Sequence, residues 1–108
     1  MECQLGDATI HYELFGEGRP LIALHGALQD GLDMSQLIEP VFQGRSGWKR
    51  IYPDLPGCGA SSSPAWMENE DQLLELLLDF IDHVIPGERF ALAGLSRGGY
   101  YARGVLYQ

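Results

Sequence analysis

The sequence predicts an α/β fold with a largely parallel sheet, and three observations carry that prediction. Short apolar runs alternate with segments of helical periodicity along the chain. Two of the runs, Pro20 to Leu24 and Phe90 to Leu95, are apolar throughout, as expected of strands buried on both faces. Ala8 to Phe15 instead carries a period of two, with Ile10, Tyr12 and Leu14 on one face, which suits an antiparallel strand.

Taken in order, Gly6-Asp7 and Gly16-Glu17-Gly18 are turn signals that bracket the first of these strands. Pro20 to Leu24 follows and ends at His25-Gly26. Met34, Leu37, Ile38, Val41 and Phe42 then fall at the spacing of a buried helical stripe, with Asp33 and Gln36 as a capping pair. Pro40 lies inside that stripe and is expected to kink or shorten the helix. Arg50 to Pro53 is a shorter strand ending at Asp54. Asn69 and Gln72 mark the start of a second helix, where Glu70 and Asp71 suit the positive end of the dipole. Glu75, Asp79 and Asp82 make its polar stripe, leucines cover the rest, and Pro86-Gly87 ends it. A third helix is expected to begin at Arg97.

Composition narrows the functional classes. A length of 108 residues suits one domain, and 45% hydrophobic with 20% charged residues is ordinary for a soluble globular protein. Glu75 and Asp79 interrupt the leucine-rich stretch, so no run approaches the ~18 apolar residues of a membrane span. Met1 to Leu5 has neither the basic nor the apolar region of a secretory signal, and a cytoplasmic location is the expectation. A net charge of -8 with a single lysine, Lys49, argues against a nucleic-acid partner. Seven of the fifteen acids lie between Glu68 and Glu88 and read as a solvated helix face rather than a docking site. Cys3 and Cys58 form neither a metal spacing nor a disulfide framework, and no metal or cofactor is expected.

The chemistry is concentrated in Gly94-Leu95-Ser96-Arg97-Gly98, a G-x-S-x-G pattern. Such a pattern carries weight only between a strand and a helix, because its serine occupies a strained strand-to-helix turn. Phe90 to Gly94 supplies the strand, Gly98 to Tyr101 opens the helix, and Gly94 and Gly98 leave room for the tight turn. In that setting the Ser96 Oγ stands clear of the backbone, and the Arg97 N–H, at a helix N-terminus, points toward a developing oxyanion. The alternative is a buried serine at a glycine-rich strand end. Two further patterns accompany it: His25-Gly26 at the end of the first parallel strand, and Asp54 to Ser61, which reads D-x-x-G-x-G-x-S. The latter is assigned structural work, its glycines permitting turns, and Cys58 within it reads as loop filler.

The succession strand, H-G, helix, D-x-x-G-x-G-x-S, helix, G-x-S-x-G resembles the α/β-hydrolase superfamily over the whole chain, but only over about the first half of a typical family domain. The resemblance implies an eight-stranded sheet in order 1-2-4-3-5-6-7-8. Its first two strands are antiparallel and crossover helices join the parallel ones, so that this chain would hold five strands and end after the nucleophile-elbow helix. It also implies that Ser96 is the nucleophile, that Ala27 and Arg97 donate the oxyanion-hole N–H groups, and that His25 and Gly26 shape the oxyanion loop. The implied reaction is hydrolysis of a carboxylic ester, thioester or related acyl bond in a small-molecule substrate. Serine rather than aspartate at the elbow disfavours epoxide hydrolase and dehalogenase chemistry. Arg97 departs from the Met, Leu or Gln of many relatives. Its side chain would pair with an acidic substrate group or, preferably, with an acid in the absent half.

In this family the triad acid and histidine follow the serine. Twelve residues follow Ser96, and none is His, Asp or Glu. On the implied topology His11 lies three strand spacings from the serine strand, about 14 Å at ~4.8 Å each. His83 is near the far end of a crossover helix, and His25 occupies the motif position that shapes the oxyanion loop. None is a good base, and without one a serine is a weak nucleophile. The expectation is therefore a fragment, inactive alone, that needs a missing C-terminal half or a partner chain, with Phe90 to Leu95 left as an open sheet edge. The rival readings are a non-catalytic truncated paralogue that binds a ligand or partner, and a carbon–carbon lyase or cofactor-free haloperoxidase on the same fold. A Rossmann-type nucleotide site is disfavoured, because no G-x-G-x-x-G follows the first strand.

Overall fold

Seven elements follow one another in the computed structural model, which describes residues 1–6, 8–26, 29–55, 61, 70–95, 99, 103 and 105. They are β1 (Glu2–Leu5), β2 (Ala8–Phe15), β3 (Arg19–Leu24), α1 (Gly31–Phe42), β4 (Trp48–Pro53), α2 (Glu70–Val84) and β5 (Ala91–Gly94). The strands form one five-stranded sheet in the order β1-β2-β4-β3-β5. β1 pairs antiparallel with β2, and β2 antiparallel with β4, while β3 runs parallel to both β4 and β5. Reversal of strand order between β3 and β4 follows from the two crossovers, since β3–α1–β4 moves to one side of β3 and β4–α2–β5 to the other.

The period of two in β2 places its two sets of side chains on opposite sides of the sheet. Ile10, Tyr12 and Leu14 face α2, and Phe15 faces α1. α2 buries Leu73, Leu76, Leu77, Phe80 and Ile81 against Cys3, Ala8, Ile10, Ile22, Leu24, Ile51 and Leu55. Tyr12 meets Phe80 edge to face with ring centroids 5.3 Å apart. The expected polar stripe of this helix is exposed at Glu75, Asp79 and Asp82. The helix stops where expected: Gly87, at φ +70°, takes the left-handed conformation that turns the chain toward β5.

α1 covers the other face, and there the sequence-based expectation is corrected. Leu37 and Val41, expected in the buried stripe, are 55% and 58% exposed. Met34 and Ile38 do face the sheet as expected, but Gly31 and Ser35 complete the buried side in place of the two larger residues. A stripe of small residues lets the helix lie close to β3 and β4, and this rotates the two larger apolar side chains outward. The cap is displaced by one turn as well. Asp30 is the N-cap, its carboxylate accepting the Asp33 N–H, while the Asp33 carboxylate accepts the Asp30 N–H. Pro40 sits in the last turn and the helix continues two residues beyond it, to Phe42.

β5 is the open edge that the sequence implies, though shorter than the run from Phe90 to Leu95. It covers only Ala91–Gly94, and although its sequence reads as doubly buried, Ala91 and Gly94 are exposed and Leu95 is 39% exposed. Its one described neighbour is β3, so it is the edge of the five-stranded sheet. Beyond it Gly99, Arg103 and Val105 are helical, and Val105 packs against the core on the α2 face.

Candidate active site

Parallel pairing brings together the ends of β3 and β5. Leu24 is the register partner of Gly94, and the Leu95 N–H donates to the Leu24 carbonyl at 3.1 Å. His25-Gly26 and Gly94-Leu95 therefore leave the sheet side by side at the carboxyl ends of two adjacent strands. In an open α/β sheet this is the edge where ligands bind. Of the residues singled out in the sequence, His25, Gly26 and Gly94 are described. Ala27, Ser96, Arg97 and Gly98 lie outside the described residues, as does Cys58.

His25 is fully buried and uses both ring nitrogens. Its Nε2 accepts the Leu55 N–H at 2.9 Å, so that nitrogen carries the lone pair. Nδ1 then carries the proton and donates to the Gly26 carbonyl at 2.7 Å. The imidazole thus ties the end of β3 to the residue pair following β4, and neither nitrogen is free to act as a base. The Gly26 N–H donates to Gln29 Oε1 at 2.8 Å, and the Gln29 N–H returns to the Gly26 carbonyl at 3.3 Å.

A second node holds the start of α1 against the same edge. Asp54 is 4% exposed, and its Oδ1 accepts the Gly31 N–H at 2.6 Å. A carboxylate at a helix N-terminus is favoured both by the unpaired amides and by the dipole. Gly31 is required there, because a Cβ would meet the Tyr52 carbonyl at 2.3 Å and Asp54 Oδ1 at 3.0 Å. Ser61 closes the node: its Oγ donates to the Asp54 carbonyl at 2.7 Å and accepts the His11 N–H at 2.9 Å. Asp54 and Ser61 are thus the two ends of the D-x-x-G-x-G-x-S pattern, fastened together and to β2. The sequence reading credited that loop's glycines and missed the acid's hold on α1. The available signal was a glycine directly after the Asp30 cap.

Farther along α1, Glu39 takes a two-point ion pair from Arg50, with Nε to Oε2 at 3.0 Å and Nη2 to Oε1 at 2.6 Å. The Tyr52 hydroxyl donates to the same carboxylate. Hydrogen bonding from Arg50 holds the Glu39 carboxyl below its ordinary range despite partial burial. Burial first, and then the Glu39 hydrogen bond, push the Tyr52 phenol well above its usual value, so it remains a donor. A hollow of about 470 Å³ is lined by Glu39 and Arg50 with Gln36, Pro40, Phe42 and Gln43, and it shares no residue with the edge at Gly94.

Among the described residues the remaining titratable groups offer no second centre. His11 lies on β2, three strands from β5, and its Nε2 is 3.2 Å from Glu13 Oε1. His83 is exposed near the end of α2, with Nδ1 3.3 Å from the Asp79 carbonyl. Burial raises the pKa of the Cys3 thiol, which makes it a poor nucleophile. Among the described residues no three His, Cys, Asp or Glu side chains gather as metal ligands, and no helix is long and apolar enough to cross a membrane.

Comparison with known proteins agrees with the fold. No family model matches the chain. The sequence is 36% identical over 95 residues to pimeloyl-[acyl-carrier protein] methyl ester esterase of Legionella pneumophila (strain Corby), covering 87% of this chain and 34% of that protein. An enzyme of the same name from Nitrosomonas europaea is 36% identical over 97 residues, with 88% and 34% covered. The chain thus spans about a third of the length of the curated relatives it matches. Among solved structures, an alpha/beta superfamily hydrolase from Oenococcus oeni PSU-1 superposes with a TM-score of 0.83 at 37% identity, over 91% of this chain and 36% of that one. With strand order, the register of β3 against β5 and these similarities in agreement, the chain has the α/β-hydrolase fold through its fifth strand.

Proposed function

We propose that the polypeptide carrying this sequence is a serine hydrolase that cleaves a carboxylic ester, thioester or related acyl bond through an acyl-enzyme on Ser96. The pairing of Leu24 with Gly94 is the observation that supports this most directly. The H-G pair begins one residue after the first of these partners, and G-x-S-x-G begins at the second. In the proposed reaction Ser96 Oγ attacks the acyl carbon, and its proton passes to a base. The N–H groups of Ala27 and Arg97 take up the charge on the former carbonyl oxygen. Collapse expels the alcohol or thiol, which receives that proton, and water then releases the acid and restores the serine.

Base and acid must come from outside these 108 residues. None of the twelve residues after Ser96 is His, Asp or Glu, and the His25 ring is committed at both nitrogens. By themselves the 108 residues would retain only the residual rate that an oxyanion hole and substrate binding supply. The names of the curated relatives make a pimeloyl-[acyl-carrier protein] methyl ester the first substrate to try, with simple acyl esters and thioesters beside it.

Fluorophosphonate labelling of the natural polypeptide, with the modified peptide located by mass spectrometry, tests the reading. Label on Ser96 at a rate far above a denatured control, abolished in Ser96→Ala, is the expected result. Labelling no faster than the denatured control would overturn it and leave a non-catalytic binding protein.

A further inference from the structure

Gly26 has both of its backbone polar groups committed inside the protein. Its N–H is taken by the Gln29 side chain at 2.8 Å. Its carbonyl receives His25 Nδ1–H at 2.7 Å and the Gln29 N–H at 3.3 Å. The amide of Gly26 is therefore not available to a substrate oxygen. The carbonyl bonds have a further consequence, because a peptide unit is planar and its N–H lies opposite its C=O. Whatever holds the Gly26 carbonyl also sets the direction of the amide that follows it.

We propose that Gln29 is a positioning residue, which grips Gly26 from both ends and so aims the next amide, that of Ala27, toward the reacting oxygen. This inference rests on the serine hydrolase reading. Gln29 is suited to the task by its own placement. It directly precedes Asp30, the N-cap of α1, and α1 is anchored to β4 through Gly31 and Asp54. The grip on Gly26 therefore refers to the rigid sheet rather than to a free loop. His25 supports the same carbonyl from the end of the neighbouring strand, since its other nitrogen is bonded to the Leu55 amide. Both supports refer to the residues that follow β4, so the Gly26 carbonyl is held at two points. Preorganisation of this kind matters because a donor lowers the barrier only when it already points at the developing charge.

The test compares Gln29→Met, close in shape but without a strong acceptor, with Gln29→Glu, which keeps the acceptor oxygen. Both are made in the natural polypeptide beside Ser96→Ala. Two quantities are read: hydrogen exchange at the Gly26 amide and the rate of fluorophosphonate labelling. In Gln29→Met the amide should lose protection and labelling should slow about tenfold to a hundredfold, less than the 10²–10³ typical of deleting a donor. KM for an ester substrate should stay within about twofold while kcat falls, and Gln29→Glu should recover both protection and rate. Unchanged Gly26 exchange in Gln29→Met overturns the inference, as does lost protection with an unchanged labelling rate. In either of those cases, labelling abolished by Ser96→Ala leaves the serine hydrolase reading standing. Labelling that persists in Ser96→Ala overturns both.

Discussion

The two faces of the sheet are held by different forces. On the α2 side the contact is an apolar cluster from Cys3 to Ile85, with Phe80 and Leu77 almost wholly buried at its centre. On the α1 side the buried apolar cluster among the described residues is Ala23, Met34 and Tyr52, and the helix is fastened by directional bonds as well. Gly31 to Asp54 pins its start, and Glu39 to Arg50 and Tyr52 pins its end. Apolar burial is strong but non-directional, so it stabilises a layer without fixing it finely. Charged hydrogen bonds add less net energy but fix angles and distances. The face whose helix begins beside Gln29 and Gly26 is the one held by the second kind.

The largest expected effect tests the apolar face. Phe80→Ala, at a fully buried ring packed on Tyr12, should cost about 3–5 kcal/mol in denaturant unfolding. A loss under 1 kcal/mol would mean that α2 is not the main source of stability. Next, Gly31→Ala should cost about 1–3 kcal/mol, because its methyl group would be driven onto the Tyr52 carbonyl. Full stability in this variant would show that α1 can move off β4 freely.

Glu39→Gln should cost about 1–2 kcal/mol near neutral pH, through the lost two-point pair with Arg50. Its pH dependence has a definite sign. The folded-state pKa of Glu39 lies below the ordinary 4.5, chiefly through the Arg50 hydrogen bond. Its contribution is therefore present above that value and is lost as pH falls through the lower, folded one. The acid side of the stability curve should be flatter in Glu39→Gln than in the parent, and parallel acid limbs would contradict the clamp. The smallest effect is reserved for the outer side of α1. Leu37→Gln, at a side chain 55% exposed, should change stability by less than about 0.5 kcal/mol. A loss above 1.5 kcal/mol in the natural polypeptide would show that something covers this helix.

Legibility in the sequence followed the same division. β3 was read correctly, and α2 too, because a continuous apolar run and a wide leucine arc are signatures of burial itself. α1 reads as a helix whose contact stripe is half right, since Met34 and Ile38 meet the sheet and Leu37 and Val41 do not. Its true contact stripe begins at Gly31 and includes Ser35, small residues that hydropathy ranks below Leu37 and Val41. The cap at Asp30 was missed by one turn, since Asp30 and Asp33 are both acids able to cap and only backbone geometry chooses between them. At the site, His25 and Gly26 were singled out by their pattern, whereas Gln29, Asp54 and Ser61 acquired their roles only through contacts that cross 3 to 50 residues of chain.

What the sequence determined alone was the alternation of strands and helices, the polar face of α2 and the motifs at the ends of β3 and β5. These depend on local periodicity and on the chemistry of neighbouring residues, which a linear string records directly. Tertiary structure decided which side of α1 meets the sheet, and it assigned both nitrogens of His25. It also set the register of β5 on β3, with Gly94 level with Leu24, whereas their adjacency was already implied by the family resemblance. Those choices depend on how closely two backbones approach and on which donor reaches which acceptor across the sheet, and neither distance is written in residue order.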